Sequence, residues 1–358
     1  MKRILCLVDS LASGGAERQL TGLAVLLKRR GYEVEVWYYV KNEFYLPYLK
    51  ENNVSSRFLA DATNPRTRIF AIRKHIKEFK PNTIISYTES HSMITCLLKL
   101  LGAKFQLMVS ERCSVQRTNR REKIKFFTYR WSDVVIPNSY AQKQFIDEHF
   151  PNLSSKVRVI TNFVDTEKFS PSDVIMPKGN ETKMICVGRV AKQKNILSFI
   201  NAIGRVIRDG YYLKVDWYGH SFGDNYMEEC LAKIKENNLE KIFVFNPPHP
   251  SIQDKYRESD LFCLPSLFEG FPNVLCEAMS CGLPVLCSNV CDQPNIVDDT
   301  KNGYLFDPLK IDDMVNAIER FLDLPQEEKV IMGNRSREIA IDMFAEDSFV
   351  EKYIELIR

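Results

Sequence analysis

Short apolar runs alternate with longer helical patterns along this chain, and that alternation limits its possible folds more than any other feature. Strands joined by helical crossovers run parallel, and the helices then cover both faces of the sheet. The opening unit is the clearest: residues 4–8 read as a buried strand, Ser13-Gly14-Gly15 as a turn and residues 16–30 as a helix. Arg29, Arg30 and Gly31 suit its end, where cations meet the negative pole of the dipole and glycine takes the left-handed cap. A second strand begins with Val34-Glu35-Val36-Trp37, and residues 83–87, 107–110, 134–137 and 157–160 are further candidates. The logic then restarts, with strands at 184–187, 215–218, 243–245, 261–264 and 285–286 and a helix over 197–207. Between the halves, residues 170–180 are polar and rich in chain breakers, as a linker is. A length of 358 residues suits two cores. We expect an α/β protein of two Rossmann-like, doubly wound domains, 1–170 and 171–358, facing across a cleft, with the last helix packing back on the first domain.

Composition narrows the class. No stretch approaches the roughly 18 uninterrupted apolar residues of a membrane span, since residues 93–101 are already broken by Lys99. The start, Met1-Lys2-Arg3 with a short apolar run ending at Asp9, lacks the features of a signal peptide, so a cytoplasmic location is expected. The ten cysteines are scattered without a C-x-x-C pair, which fits the same compartment. Cys276, Cys281, Cys287 and Cys291 invite a metal reading, but small buried thiols are the simpler explanation, and no metal or other cofactor is expected. Charge is uneven: residues 1–170 hold 28 Lys/Arg against 16 Asp/Glu, a net +12, and the remainder carries −9. Such asymmetry points one half at an anionic surface, either nucleic acid or an acidic membrane leaflet.

The densest chemistry lies in residues 266–285. Gly270 and Pro272 prevent a helix from running through Glu269, so the helix should begin near Asn273 with its free amides facing the strand ends. A diphosphate fits that N-terminus, with Glu269 in the loop beside it and Glu277 about one turn inside. Two carboxylates could also be a glycosidase pair. Glu277 on a helix flank, however, better suits hydrogen bonds from a ribose, and hydroxyl recognition is the better role for both. A second loop, residues 188–195, follows a strand directly. Gly188 permits a sharp turn, and Arg189 and Lys194 can converge on one anion whose charge grows as a glycosidic bond breaks. The pair Gly14-Gly15 lies at the first strand-to-helix turn but matches neither the dinucleotide fingerprint nor a phosphate loop. It allows close approach to a phosphate or sugar, and a plain tight turn explains it equally well.

Together these residues resemble glycosyltransferase family 4, the retaining nucleotide-sugar transferases of the GT-B fold. The resemblance covers nearly the whole chain. It rests on Gly14-Gly15-Ala16-Glu17, on the 188–194 loop and on Glu269 and Glu277 in an E-x7-E spacing, followed by Ala278-Met279-Ser280-Cys281-Gly282-Leu283-Pro284-Val285. It implies that Arg189 and Lys194 neutralise the donor diphosphate, that Glu269 holds the donor sugar and that Glu277 binds the ribose. It further implies that the stretch Phe271, Pro272, Asn273 and Val274 meets the phosphates through its backbone N–H groups, while Gly188 shapes the loop and Gly14 and Gly15 line the cleft. Family members transfer with retention and without metal. Many place a histidine just after the strand that ends here at Val109-Ser110, where this chain has Glu111-Arg112. Either residue could contact the donor sugar or the acceptor instead. His91 is a conceivable substitute, though a lone histidine is more often structural.

The acceptor side is basic. Residues 112–130 contain seven Lys/Arg and one acid, interleaved with Ile124, Phe126, Phe127 and Tyr129. Residues 64–80 set Ile69, Ile72, Ile76 and Phe79 at helical spacing, with Arg73, Lys74 and Lys77 on other faces. Such helices can lie on an acidic leaflet or can pack an apolar stripe into the core. No nucleic-acid fold pattern accompanies the charge, so nucleic acid is not expected as a partner. The resemblance implies an enzyme of O-antigen, capsule or related synthesis. It would move a sugar from a UDP-linked donor to a polyprenyl-diphosphate-linked glycan at the inner face of the cytoplasmic membrane. A nucleotide-sugar epimerase and a non-catalytic sugar-nucleotide binding module are the alternatives, both disfavoured by the E-x7-E block with Arg189 and Lys194. Replacing Arg189, Lys194 or Glu269 by alanine is expected to cut turnover while leaving the fold intact.

Overall fold

The structure, a computed structural model, describes residues 2–60, 64–112, 117–172, 181–221, 223 and 225–358. The chain divides into two compact units, Met1–Phe163 with Glu346–Arg358 and Val164–Ala345. The first contains β1 (Arg3–Leu7), β2 (Glu33–Tyr38), β3 (Ser55–Phe58), β4 (Thr83–Tyr87), β5 (Gln106–Glu111) and β6 (Val134–Pro137), in the order β3-β2-β1-β4-β5-β6. The second contains β7 (Thr182–Val187), β8 (Leu213–Tyr218), β9 (Phe243–Asn246), β10 (Leu261–Leu264), β11 (Val285–Ser288) and β12 (Gly303–Phe306), in the order β12-β11-β10-β7-β8-β9. Every strand pairing in both sheets is parallel.

Strand periodicity explains why each sheet is buried on both faces. Successive side chains of β1 point to opposite sides, and Ile4 and Cys6 join one apolar cluster while Leu5 and Leu7 join another. The first cluster includes Leu20, Leu23 and Leu27 of the helix Gly15–Arg29 together with Phe349 and Tyr353 of the helix Glu346–Leu356. The second takes Ile72 and Ile76 from the helix Pro65–Phe79 and Cys96 and Leu98 from the helix Glu89–Leu100. In the second unit β7 divides likewise, with Met184 and Cys186 on one side and Ile185 on the other.

Both sheets reverse their strand order once, between β1 and β4 and between β7 and β10. At such a point the crossovers leave in opposite directions, and the carboxyl ends of the two strands flank a crevice.

Three features differ from the sequence reading. Residues 157–160 form no strand: Val157 makes a lone parallel bridge to Val135, and Arg158 and Ile160 donate to the carbonyls of Val135 and Pro137. Two edge strands were not expected. Ser55–Phe58 is too polar to show an apolar pattern, and Gly303–Phe306 opens on a glycine. That glycine is needed, because a Cβ there would sit 1.8 Å from the Val285 carbonyl oxygen. Finally, the units divide after Phe163 rather than after residue 170. Val164 already donates to the Phe344 carbonyl at 2.9 Å, and Val164 and Phe169 lie in a core cluster of the second unit. Of the expected linker, residues 173–180 lie outside the described residues.

Candidate active site

The β7–β10 reversal carries the residues with the densest chemistry. The chain leaves β7 through Gly188, whose carbonyl accepts from the Trp217 indole at 2.8 Å, and forms a short turn over Lys192–Lys194. Asn195 ends this turn in the left-handed conformation (φ 55°, ψ 33°) and starts the helix Ile196–Arg208. The turn directs Lys194 inward, so close to Gly188 that a Cβ on the glycine would meet Lys194 Cε at 2.8 Å. The loop after β10 comes to meet it: Leu267 N–H donates to the Gln193 carbonyl and the Gln193 side chain to the Phe268 carbonyl, both at 2.8 Å. Glu269 is thereby held against Lys194, with Oε1 2.6 Å from Nζ and also accepting from Ser266 Oγ at 2.5 Å. Both charged residues are only 9% exposed. The Glu269 N–H donates to Cys291 Sγ at 3.4 Å, and Cys291 adopts a positive φ of 52°. Arg189 remains exposed and makes no ion pair with Glu269 or Glu277 among the described residues.

The helix after this loop spans Asn273–Ser280, with Pro272 as its cap. Not all of its first amides are free. Asn273 N–H turns back to the Phe271 carbonyl at 3.0 Å, and the amides of Leu275 and Cys276 both reach the Pro272 carbonyl. Pro272 has no N–H, so Phe271 and Val274 are the amides of that stretch left without a backbone acceptor among the described residues. Glu277 is buried rather than solvated. It is 4% exposed, with Oε2 accepting from the Tyr256 hydroxyl at 3.4 Å. Cys276, Cys281 and Cys287 are buried in the same core, and burial pushes the Cys281 thiol up to about 12. Ser266, Gln193 and Cys291 lie in stretches the sequence singled out but had no role assigned there, and Tyr256 lies in none; all four support the site. Only their partners reveal them.

In the first unit, Gly14 caps the helix Gly15–Arg29, and its missing side chain makes room for Glu17, whose Oε2 would lie 2.0 Å from a Cβ at Gly14. Glu111 is buried, and its carboxylate accepts from Lys125 Nζ at 2.8 Å and from the Tyr129 hydroxyl at 2.5 Å. That carboxylate lies in the interior of the unit, 4% exposed and with one donor on each oxygen. Arg112 is half-buried and bridges elements: it donates to Asn162 Oδ1 and to the Tyr353 hydroxyl, each at 2.7 Å, and stacks over the Tyr87 ring at 4.2 Å.

The two basic segments are mixed. In the helix Pro65–Phe79, Ile72, Ile76 and Phe79 are core residues while Phe70 is exposed. In the helix Arg120–Thr128, Phe126 is buried while Ile124 and Phe127 face outward among Arg120, Arg121 and Lys123. Among the described residues, no helix is long and apolar enough to cross a membrane.

Comparison with known proteins agrees with this architecture. Residues 13–168 match the model of Glycosyltransferase Family 4, and residues 172–339 match that of Glycosyl transferases group 1. The chain is 25% identical over 315 residues to the amylovoran biosynthesis glycosyltransferase AmsD of Erwinia amylovora, covering 86% of each protein. Over 221 residues it is 31% identical to the UDP-Gal:alpha-D-GlcNAc-diphosphoundecaprenol alpha-1,3-galactosyltransferase of Escherichia coli, spanning 56% of this chain and 55% of that one. The crystal structure of Anabaena HepE in complex with UDP-glucose superposes with a TM-score of 0.83 at 19% identity, covering 99% of both chains. With both halves matched and the paired six-stranded sheets shared, this chain belongs to the glycosyltransferases of family 4, enzymes of the GT-B fold.

Proposed function

We propose that this glycosyltransferase moves a sugar, with retention of configuration, from a UDP-linked donor to a polyprenyl-diphosphate-linked saccharide in cell-surface glycan synthesis. The observation that carries the reading is the Lys194–Glu269 pair at the β7–β10 reversal, beside the start of the helix Asn273–Ser280. A nucleotide diphosphate needs cations and amides, a sugar needs a hydroxyl acceptor, and this crevice provides both. Lys194 has three N–H groups and spends one on Glu269, so it can also donate to a diphosphate. Arg189 adds a second positive charge, and the Phe271 and Val274 amides add neutral donors. These groups stabilise the charge that grows on the leaving diphosphate, so the reading calls for no metal. Glu269, fixed by Ser266 and Lys194, accepts from a donor-sugar hydroxyl through its remaining oxygen. Glu277 with Tyr256 takes the ribose. A lipid-linked acceptor and a UDP donor agree with the names of the galactosyltransferase and HepE relatives.

The acceptor brings the enzyme to a membrane surface. The outward Ile124 and Phe127, on the same helix as the exposed Arg120 and Lys123, form a face that suits an anionic leaflet. This face supports the reading that the enzyme works at the inner side of the cytoplasmic membrane.

The test is incubation of the purified protein with UDP-, GDP- and dTDP-sugars and a polyprenyl-linked glycan extract, followed by mass spectrometry. A lipid heavier by one sugar, with free UDP and an anomeric configuration matching the donor, is the expected result. Isomerisation of a nucleotide sugar without a lipid product would replace the reading by an epimerase, and an inverted anomer would overturn retention.

A further inference from the structure

The β1–β4 reversal of the first unit holds a second polar cluster, which the reading above does not use. β1 and β4 pair with Leu7 opposite Ser86, and continuing that register places Asp9 and Thr88 opposite one another just beyond the strand ends. Asp9 Oδ1 receives three donors: the Tyr39 hydroxyl at 2.6 Å, the Thr88 hydroxyl at 3.1 Å and His91 Nδ1 at 3.2 Å. Oδ2 receives none among the described residues, while the Asp9 side chain is 38% exposed. One oxygen thus anchors the carboxylate and the other is left for a partner outside the cluster.

The supporting residues are themselves held. His91 is wholly buried in the helix Glu89–Leu100 and lies against the Tyr39 ring at 4.9 Å. A carboxylate only accepts, so Nδ1 carries the imidazole proton. Nε2 is buried with no hydrogen-bond partner, which a structural histidine seldom tolerates. Arg68 lies over the ring of the same tyrosine, 3.6 Å from its centroid, and donates to Ser90 Oγ at 2.8 Å. Thr88 has φ 73° and ψ 148°, a strained conformation for a β-branched residue, and the strain directs its hydroxyl at Asp9. Backbone strain of this kind gathers where a ligand is gripped.

Resting on the transferase reading above, we propose that Asp9 is a substrate-contact residue whose Oδ2 accepts a hydrogen bond from a hydroxyl of the saccharide acceptor, with Tyr39, Thr88 and His91 as positioning residues. The partner must be a donor. Burial raises the Asp9 carboxyl, but its interactions with His91, Tyr39 and Thr88 outweigh it and hold Asp9 below the ordinary carboxylate range. It therefore stays anionic and repels phosphate while accepting from hydroxyls. Its place at the switch point of the sheet is where an open α/β unit takes a ligand.

Asp9→Asn tests this with the full chain, because asparagine can keep an oxygen toward the three donors and presents an amide N–H2 where Oδ2 was. The acceptor KM should rise about tenfold to a hundredfold, as for a lost hydrogen bond to a charged group, while the KM for the nucleotide sugar stays within about twofold. Tyr39→Phe, which removes one anchor, should shift the acceptor KM in the same direction by less and leave the donor KM alone, so it carries the test if Asp9→Asn does not fold. An unchanged acceptor KM in folded Asp9→Asn, or equal shifts for donor and acceptor, overturns the proposal. Calorimetric titration of a delipidated glycan mixture into wild type and Asp9→Asn separates this from the parent reading. If wild type makes no glycolipid but binds saccharide and Asp9→Asn does not, only the transferase reading fails. If wild type binds none, the Asp9 proposal fails.

Discussion

Lys194 and Glu269 show how a residue can serve chemistry and the fold together. Each is nearly buried and each is the other's counter-ion. Removing one member of such a pair strands the other, at a cost of roughly 3–5 kcal/mol. Lys194→Ala and Glu269→Ala should therefore lose stability in urea as well as turnover, which revises the expectation that the fold would stay intact. Arg189 is exposed, and Arg189→Ala should change stability by less than about 0.5 kcal/mol while lowering kcat by the equivalent of roughly 3–4 kcal/mol. Urea titrations beside initial rates check both halves, and an unchanged kcat in Arg189→Ala would remove that residue from the site. His91 makes a pH prediction. Burial, only partly opposed by Asp9, lowers its imidazole below the ordinary 6.5, so the unfolded chain binds the proton more tightly than the folded one. The stability from keeping His91 neutral is complete above about pH 6.5 and is lost as pH falls through the lowered folded value. Between pH 7 and 5, His91→Gln should show a flatter fall in unfolding free energy than wild type.

At the scale of elements, apolar periodicity marks a strand most clearly where both faces are buried. Strands β1, β4, β6 and β10 were legible for that reason. The edge strand Ser55–Phe58 was not, because its burial is partial and its residues are polar. Backbone crowding sets a different requirement at β12, where Gly303→Ala would drive a Cβ into the Val285 carbonyl oxygen. We expect a loss of about 1–3 kcal/mol from this overpacking, read as a lower urea midpoint. The helix Arg120–Thr128 separates its two tasks by face, with Phe126 in the core and Ile124 and Phe127 outside. Charge reversal of Arg120 and Lys123 should weaken co-sedimentation with anionic liposomes by about 1 kcal/mol per cation at low salt, with no change in thermal stability. Equal binding of wild type and variant would remove this helix from the membrane contact.

At the scale of the whole molecule, the chain ends in the unit where it began. Phe349, Val350 and Tyr353 of the final helix are buried in the first unit's core, the Tyr353 hydroxyl lies 2.8 Å from that of Tyr87, and Arg30 pairs with Asp347 and Glu351. Deleting residues 346–358 should therefore lower the unfolding temperature of the first unit, which calorimetry would register. The sequence by itself determined the class and the count: two runs of alternating strand and helix, a helix start at Asn273 forced by Gly270 and Pro272, and the residue types of a phosphate and hydroxyl site. Those properties are local, since they depend on periodicity, breakers and side-chain chemistry within a few residues. Tertiary structure alone decided which of those residues meet. Lys194 and Glu269 are 75 positions apart and share a bond only because β7 and β10 are neighbours. Glu111, which motif position suggested for the site, is claimed by Lys125 and Tyr129 instead. Asp9, which no motif marks, gains three donors because β1 lies between β2 and β4. Pairings of this kind depend on strand order, and strand order is set by crossovers that no short stretch of sequence contains.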